Sequence, residues 1–169
     1  MIAFFWTIPS SPSLFYEFYK ANNFDIEGVA QLFDLYRQFY EQPENLTEAY
    51  KFIEERFLRG GSIIFVAKKE EQYVGFAQLY PTYSSISMKK AWILNDLFVT
   101  ENERQSGLAQ QLLQLAIELC QETDAKYLTL ETASTNVKAK KLYEKNGFVR
   151  DATFEHYTLS FASTDNKVL

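Results

Sequence analysis

The chain has 169 residues, 47% of them hydrophobic and 17% aromatic, and a formal charge of -5 from 17 basic and 22 acidic side chains. That length is enough for one domain that buries roughly 70% of its unfolded surface. The negative balance excludes a general nucleic-acid binder, which needs surplus Lys and Arg to displace counterions, and it is compatible with a cationic partner.

The lone Cys120 excludes an internal disulfide, and with His156 as the only histidine the chain lacks the ligands of a Cys/His zinc site, so no metal is expected. A reducing, cytoplasmic setting fits. Residues 1–8 are apolar, but Pro9 and Pro12 cut the run short of the roughly 20 residues a membrane span requires. Residues 1–13 read as a short extension, 14–162 as the domain and 163–169 as a tail.

Residues 14–20, rich in Phe and Tyr between Pro12 and Asn22, suit a first strand. The spacing of Val29, Leu32, Phe33, Tyr36 and Phe39 predicts a helix over 26–40, and a second helix over 47–58 closes at Gly60. Two β-branched and aromatic runs, 62–68 and 73–80, joined by a short charged turn, predict a hairpin that Pro81 ends. Residues 92–99 read as a strand, 104–122 as a long helix with Leu108, Leu112, Leu115 and Leu119 on one stripe, and 127–132 as a strand. A helix over 136–146 and two final strands within 148–161 complete the series. The strand-helix-strand unit from Trp92 to Thr132 predicts a right-handed crossover that sets its two strands parallel, with a ligand at their carboxyl ends.

The start of the long helix goes against helix-building logic. Gly107 costs about 1 kcal/mol relative to Ala, and Arg104 places a cation near the positive end of the helix dipole. An anion reconciles both. Amides at a helix N-terminus bind phosphate, Gly admits close approach to the main chain and Arg supplies charge-assisted bonds, as a pyrophosphate requires. The alternative is an ordinary loop-to-helix junction with Arg104 as a surface pair for Glu101 or Glu103.

Further along, Asn136 is a favoured N-cap and Asn146-Gly147 a favoured helix end, with Ala139, Leu142 and Tyr143 on the inner face. The run Asn136-x-x-Ala139-x-x-Leu142-Tyr143-Glu144-Lys145-x-Gly147-Phe148 resembles the second conserved block of the GNAT N-acetyltransferase superfamily. Leu94 to Val99 and Arg104-x-x-Gly107-x-Ala109 resemble its acetyl-CoA block, so the likeness covers residues 92–148. Within the family, the Asn95-Asp96-Leu97-Phe98-Val99 strand and the run Tyr36 to Tyr40 look most similar to the diamine, thialysine and histone/polyamine acetyltransferase branch.

The resemblance implies a three-layer α/β fold. Its central, mostly antiparallel mixed sheet would have about six to seven strands, a V-shaped splay between two parallel strands and helices on both faces. It implies an acetyl-CoA-dependent N-acetyltransferase acting by direct attack in a ternary complex. The acceptor would be a primary amine of a small molecule (polyamine-like, aminoglycoside or amino acid) or a protein amino group. Main-chain groups of Leu97, Phe98 and Val99 would line the pantetheine and the thioester carbonyl. Amides of Gln105, Ser106, Gly107, Leu108, Ala109 and Gln110, beside Arg104, would cradle the pyrophosphate, Asn136 would hold the pantetheine arm, and Tyr143 would sit beside the sulfur.

A thiol leaves as a thiolate with a pKa of about 8.5, while a tyrosine at about 10 keeps its proton at neutral pH, which suits Tyr143 as general acid. Its structural alternative is packing on the inner face of an amphipathic helix. An alkylammonium, with a pKa of about 10, must lose a proton before it attacks. Glu131, at the end of the strand facing the splay, stands slightly ahead of Asp96 as the candidate base. In the diamine acetyltransferases the residue before this Asp is a Glu assigned to proton handling. Here it is Asn95, as in histone/polyamine members, so the diamine mechanism does not transfer.

The acceptor pocket is expected from the first two helices and a loop over 81–90. Aromatic density in residues 4–24 and in the final strands fits a homodimer. A non-catalytic CoA-binding sensor of the same fold is the rival reading. A dinucleotide-binding α/β protein is excluded by the lack of a Gly-x-Gly-x-x-Gly turn.

Overall fold

A computed structural model describes residues 16–161. The expected extension over 1–13, the tail over 163–169 and the first two positions of the first strand lie outside the described residues. The elements are β1 (Tyr16–Lys20), α1 (Ile26–Phe39), α2 (Leu46–Arg59), β2 (Ile63–Lys69), β3 (Gln72–Ser84), β4 (Lys89–Val99), α3 (Leu108–Glu122), β5 (Leu128–Thr129) and α4 (Val137–Lys145). Two compact units divide the chain, one ending at Glu131 and the other beginning at Thr132. The sheet and α1 to α3 lie in the first unit, α4 in the second.

The sheet runs β1-β2-β3-β4-β5, antiparallel throughout except for the parallel pair β4–β5. Side chains alternate across it. Phe76 and Phe98 join Val29, Leu32, Ile53 and Val66 in the core beneath α1 and α2. On the opposite face, α3 lays buried Leu108, Leu112, Leu113, Ala116 and Leu119 against β2, β3 and β4. Gly75 permits that approach. A Cβ there would stand 2.9 Å from the Phe98 carbonyl oxygen and 3.2 Å from a Leu112 methyl, so any side chain would push the layers apart. Buried Asp34 fixes the α1–α2 connection by accepting from Arg37 Nη1 at 2.9 Å, Gln38 Nε2 at 3.0 Å and the Asn45 amide at 3.0 Å.

The parallel pair is where the sheet opens. β4 and β5 are in register only at Trp92 with Leu128 and Ile93 with Thr129. One step further along β4, Gln78 of β3 faces Asp96 while Leu79 faces Leu94, which leaves Asn95 as the extra residue of a β-bulge. A bulge bends its strand and increases the local twist. From Leu94 to Val99, β4 therefore has a ladder partner on the β3 side only, and the splay expected between two parallel strands is present.

Four expectations are corrected. Pro81 does not end β3, which continues to Ser84, and the loop expected over 81–90 is the end of the β3–β4 hairpin. The reason lies in the ladder. The amide of Trp92, opposite Pro81, donates to Tyr127 on the β5 side, so this is a non-hydrogen-bonded position of the β3–β4 pair. On the other edge, β2 pairing stops at Leu79, so no N–H is required of Pro81 on either side.

α3 begins at Leu108, not at Arg104, because residues 101–103 form a 3-10 turn and Gln105 and Gly107 are left-handed, at φ 65° and 89°. β5 is two residues long because β4 leaves it at the bulge. The two final strands do not form within 148–161, so the sheet has five strands among the described residues. Within 148–161, the Asp151 carboxylate instead takes the amides of Thr153 at 2.7 Å and Phe154 at 3.2 Å, donors that a ladder would need.

Candidate active site

On the first unit, the splayed end of β4 and the turn that follows it form one continuous feature. The Thr100 amide donates to the Val74 carbonyl of β3 at 2.9 Å. Backbone groups alternate along a strand, so those of Val99 and Leu97 point the other way, into the splay. The Val99 carbonyl confirms this direction by accepting from Arg104 Nε at 3.2 Å. Phe98 turns its carbonyl toward Gly75 of β3 and its side chain into the core.

Arg104 is thus paired with neither Glu101 nor Glu103. Its guanidinium lies 5.2 Å from the centre of the Phe39 ring. Ser106 Oγ donates to the Glu103 carbonyl at 2.5 Å, and the Glu103 carboxylate reaches back to the sheet. Gly107 precedes the first turn of α3 and offers it no capping side chain. A left-handed turn leading into a 15-residue helix whose N-cap, Gly107, makes no side-chain cap bond is a donor set suited to a diphosphate. A Cβ at Gly107 would meet nothing within 4 Å, so the approach to the main chain is open.

Asp96 stands beside the bulge on the α1/α2 face and is 4% exposed. Asn95 Nδ2 donates to both of its oxygens at 3.1 Å, and the Tyr36 phenol approaches it from α1. Burial pushes the Asp96 carboxyl above the usual carboxylate range, and Asn95, with the nearby Tyr36 hydroxyl, pulls it part of the way back. Burial, with the Asp96 charge second, pushes the Tyr36 phenol well above its ordinary value. Tyr80 is raised for the same two reasons, with Arg56 opposing. The rings of Tyr36 and Tyr40 meet edge to face at 5.0 Å, and Tyr36 lies 6.1 Å from Phe98. The result is a buried carboxylate in an aromatic setting. Glu131, the other candidate base, is exposed at the end of the first unit.

In the second unit, Asn136 caps α4 by accepting from the Ala139 amide at 3.2 Å, and Asn146 and Gly147 close the helix, Gly147 at φ 86°. Tyr143 is half-buried on α4, its ring 5.8 Å from that of Phe148. Lys138 and Lys141 are exposed, while Lys140 Nζ reaches the Ser134 carbonyl at 3.4 Å.

Two neighbours of this feature escaped sequence reasoning. Tyr36 read as one more core position of α1, although its i, i+4 relation to Tyr40 was a signal that both rings share a patch. Glu103 gave no signal of its role, because its partners Tyr16 and Lys69 lie 87 and 34 residues away. Among the described residues there is no group of three or more His, Cys, Asp or Glu placed to hold a metal ion, and no helix is long and apolar enough to cross a membrane.

Comparison with known proteins agrees with this geometry. Residues 29–148 match the sequence profile of the acetyltransferase (GNAT) family. The chain is 43% identical over 141 residues to an uncharacterized N-acetyltransferase of Bacillus subtilis (strain 168), a match spanning 83% of this chain and 95% of that protein. It is 32% identical over 131 residues to a probable acetyltransferase of Haemophilus influenzae, covering 77% of this chain and 88% of the other. A crystal structure of a probable acetyltransferase, 38% identical, superposes with a TM-score of 0.81 over 86% of this chain and 98% of its own. These matches show that the chain belongs to the acetyltransferase (GNAT) family and is an acetyl-CoA-dependent N-acetyltransferase.

Proposed function

We propose that the chain acetylates a primary amine by direct attack in a ternary complex, with Asp96 receiving the amine's proton and Tyr143 supplying one to the departing sulfur. The observation that carries this reading is Asp96 itself. It is a buried, hydrogen-bonded carboxylate at the bulge of the strand that lines the splay. A carboxyl raised toward neutrality is a better proton acceptor than one in the ordinary range, because catalytic pKa values work best near the operating pH. Glu131, by contrast, is exposed.

Bound acetyl-CoA supplies an activated thioester. This chain's residues bind, orient and move protons around it. Amides of residues 105–110 hold the diphosphate, with Arg104 as the nearby cation. Main-chain N–H groups of Leu97 and Val99 face the splay, where one of them polarises the acyl carbonyl. The Nδ2 group of Asn136 holds the pantetheine arm while its oxygen caps α4. Tyr143, by the motif that carries it, delivers its phenolic proton to the sulfur.

The aromatic surround of Tyr36, Tyr40 and Tyr80 supports an organic amine as acceptor, desolvated against rings and attracted to one carboxylate. Polyamine-like compounds, aminoglycosides, amino acids and protein amino groups are the classes to compare. The Asn95-Asp96 pair favours the histone/polyamine branch over the diamine branch. Thiol release from acetyl-CoA, followed across a panel of such amines, tests the reading. Turnover with at least one class is the expected result. Silence across the panel by a chain that still binds CoA would overturn it in favour of a sensor. Sedimentation of the purified chain tests the expected homodimer.

A further inference from the structure

The turn between β4 and α3 holds a left-handed residue that is not glycine, Gln105 at φ 65°. Such a conformation persists only where its surroundings over-determine it. Three ties do so. Arg104 Nε is fixed to the Val99 carbonyl, and Ser106 Oγ to the Glu103 carbonyl. The third tie alone leaves the turn for the far edge of the sheet. Tyr16 Oη on β1 donates to Glu103 Oε2 at 2.6 Å, and Lys69 Nζ at the end of β2 donates to Glu103 Oε1 at 2.5 Å. Each carboxylate oxygen thus takes one donor, and the side chains of Glu103 and Lys69 are 15% and 26% exposed.

We propose that Glu103 is a positioning residue for the acetyl donor, clamping residues 101–107 to β1 and β2 so that the amides beyond Gln105 stay aimed at a diphosphate. The proposal rests on the reading that this turn holds the coenzyme's diphosphate. Lys69 has a second part in it. A bare carboxylate at this place would repel the anion, and the paired ammonium cancels that charge. The Glu103 carboxyl, held below its usual range by the bonds from Lys69 and Tyr16, remains ionised at neutral pH and keeps the clamp closed.

Glu103→Gln preserves size and the bond from Tyr16 but removes the charge that holds Lys69. Two donors separate positioning from general damage: acetyl-CoA, and S-acetylpantetheine, which has the thioester without the diphosphate. In the variant, KM for acetyl-CoA is expected to rise roughly threefold to tenfold, and kcat/KM to fall selectively for the diphosphate-bearing donor. Tyr16→Phe should shift the donor ratio in the same direction by less, and serves if Glu103→Gln does not fold. Lys69→Met combined with Glu103→Gln should add nothing further. Where the wild type binds CoA, a Glu103→Gln donor ratio equal to that of the wild type, whether activity is kept or falls equally with both donors, would overturn the clamp. A wild type that shows no heat of binding with CoA would instead overturn the underlying assignment of the turn.

Discussion

Replacing Gly107 with alanine isolates the backbone's part in holding the diphosphate. The residue sits at φ 89°, a region that costs an L-amino acid about 1–2 kcal/mol. An added Cβ would meet nothing within 4 Å, so the whole cost is conformational and none of it is a clash. If the turn keeps its shape without ligand, the cost falls on folding, and the melting temperature should drop by about 2–8 °C for a chain of this size. If the turn relaxes instead, the melting temperature holds and binding must restore the strained shape. Affinity for CoA should then weaken by roughly 5- to 30-fold. Thermal unfolding and titration calorimetry with CoA read the two losses, whose sum should be about 1–2 kcal/mol. Gly61→Ala is the control, since Gly61 is not left-handed and has open space around its Cβ position. A Gly107→Ala chain that matches wild type in both measurements would refute the reasoning.

Asp96→Asn should lower kcat/KM by about 10²- to 10⁴-fold and remove the acid limb of the pH profile, a result that unchanged activity would exclude. The same variant carries a stability signature. A carboxyl whose folded pKa is raised is penalised once ionised, so wild type should lose stability relative to the variant as pH rises above the unfolded carboxylate value of about 3.9. Melting curves of both proteins across pH give that slope, and the opposite sign would refute the burial argument. Tyr36→Phe deletes a donor that favours the charged form, so the acid limb of kcat/KM should move to higher pH. Tyr143→Phe keeps the ring and removes the proton, and should fold normally while kcat falls at saturating acetyl-CoA. Full turnover would remove Tyr143 from the acid role.

Where local pattern and tertiary context agreed, the elements were legible in the amino-acid order. The apolar stripe of Val29, Leu32, Phe33 and Tyr36 placed α1, and Asn136 with Asn146-Gly147 marked both ends of α4. The misreadings have physical causes. Pro81 reads as a strand breaker unless one knows that β2 has already ended and that its position needs no amide donor. The apolar alternation after Phe148 reads as strand, but an extended segment becomes a strand only through a partner, and Asp151 claims local amides first. In the site, the helix-start anomaly at Arg104 and Gly107 pointed to an anion from the residues alone. The difference in burial between Asp96 and Glu131 could not be read that way, because strand alternation gives no burial, and the bulge at Asn95 that governs which way Asp96 faces is a property of the β3–β4 register. Tyr36 joins Asp96 only through the packing of α1 on the sheet.

The most direct test of the mechanism is a crystal structure of the chain with CoA bound. The account predicts the diphosphate within hydrogen-bonding distance of the amides of residues 105–110, the pantetheine running along Leu97 and Val99 in the β4–β5 splay, and the Tyr143 hydroxyl at the sulfur. A diphosphate seated away from that turn, or a Tyr143 hydroxyl directed away from the sulfur, would contradict it.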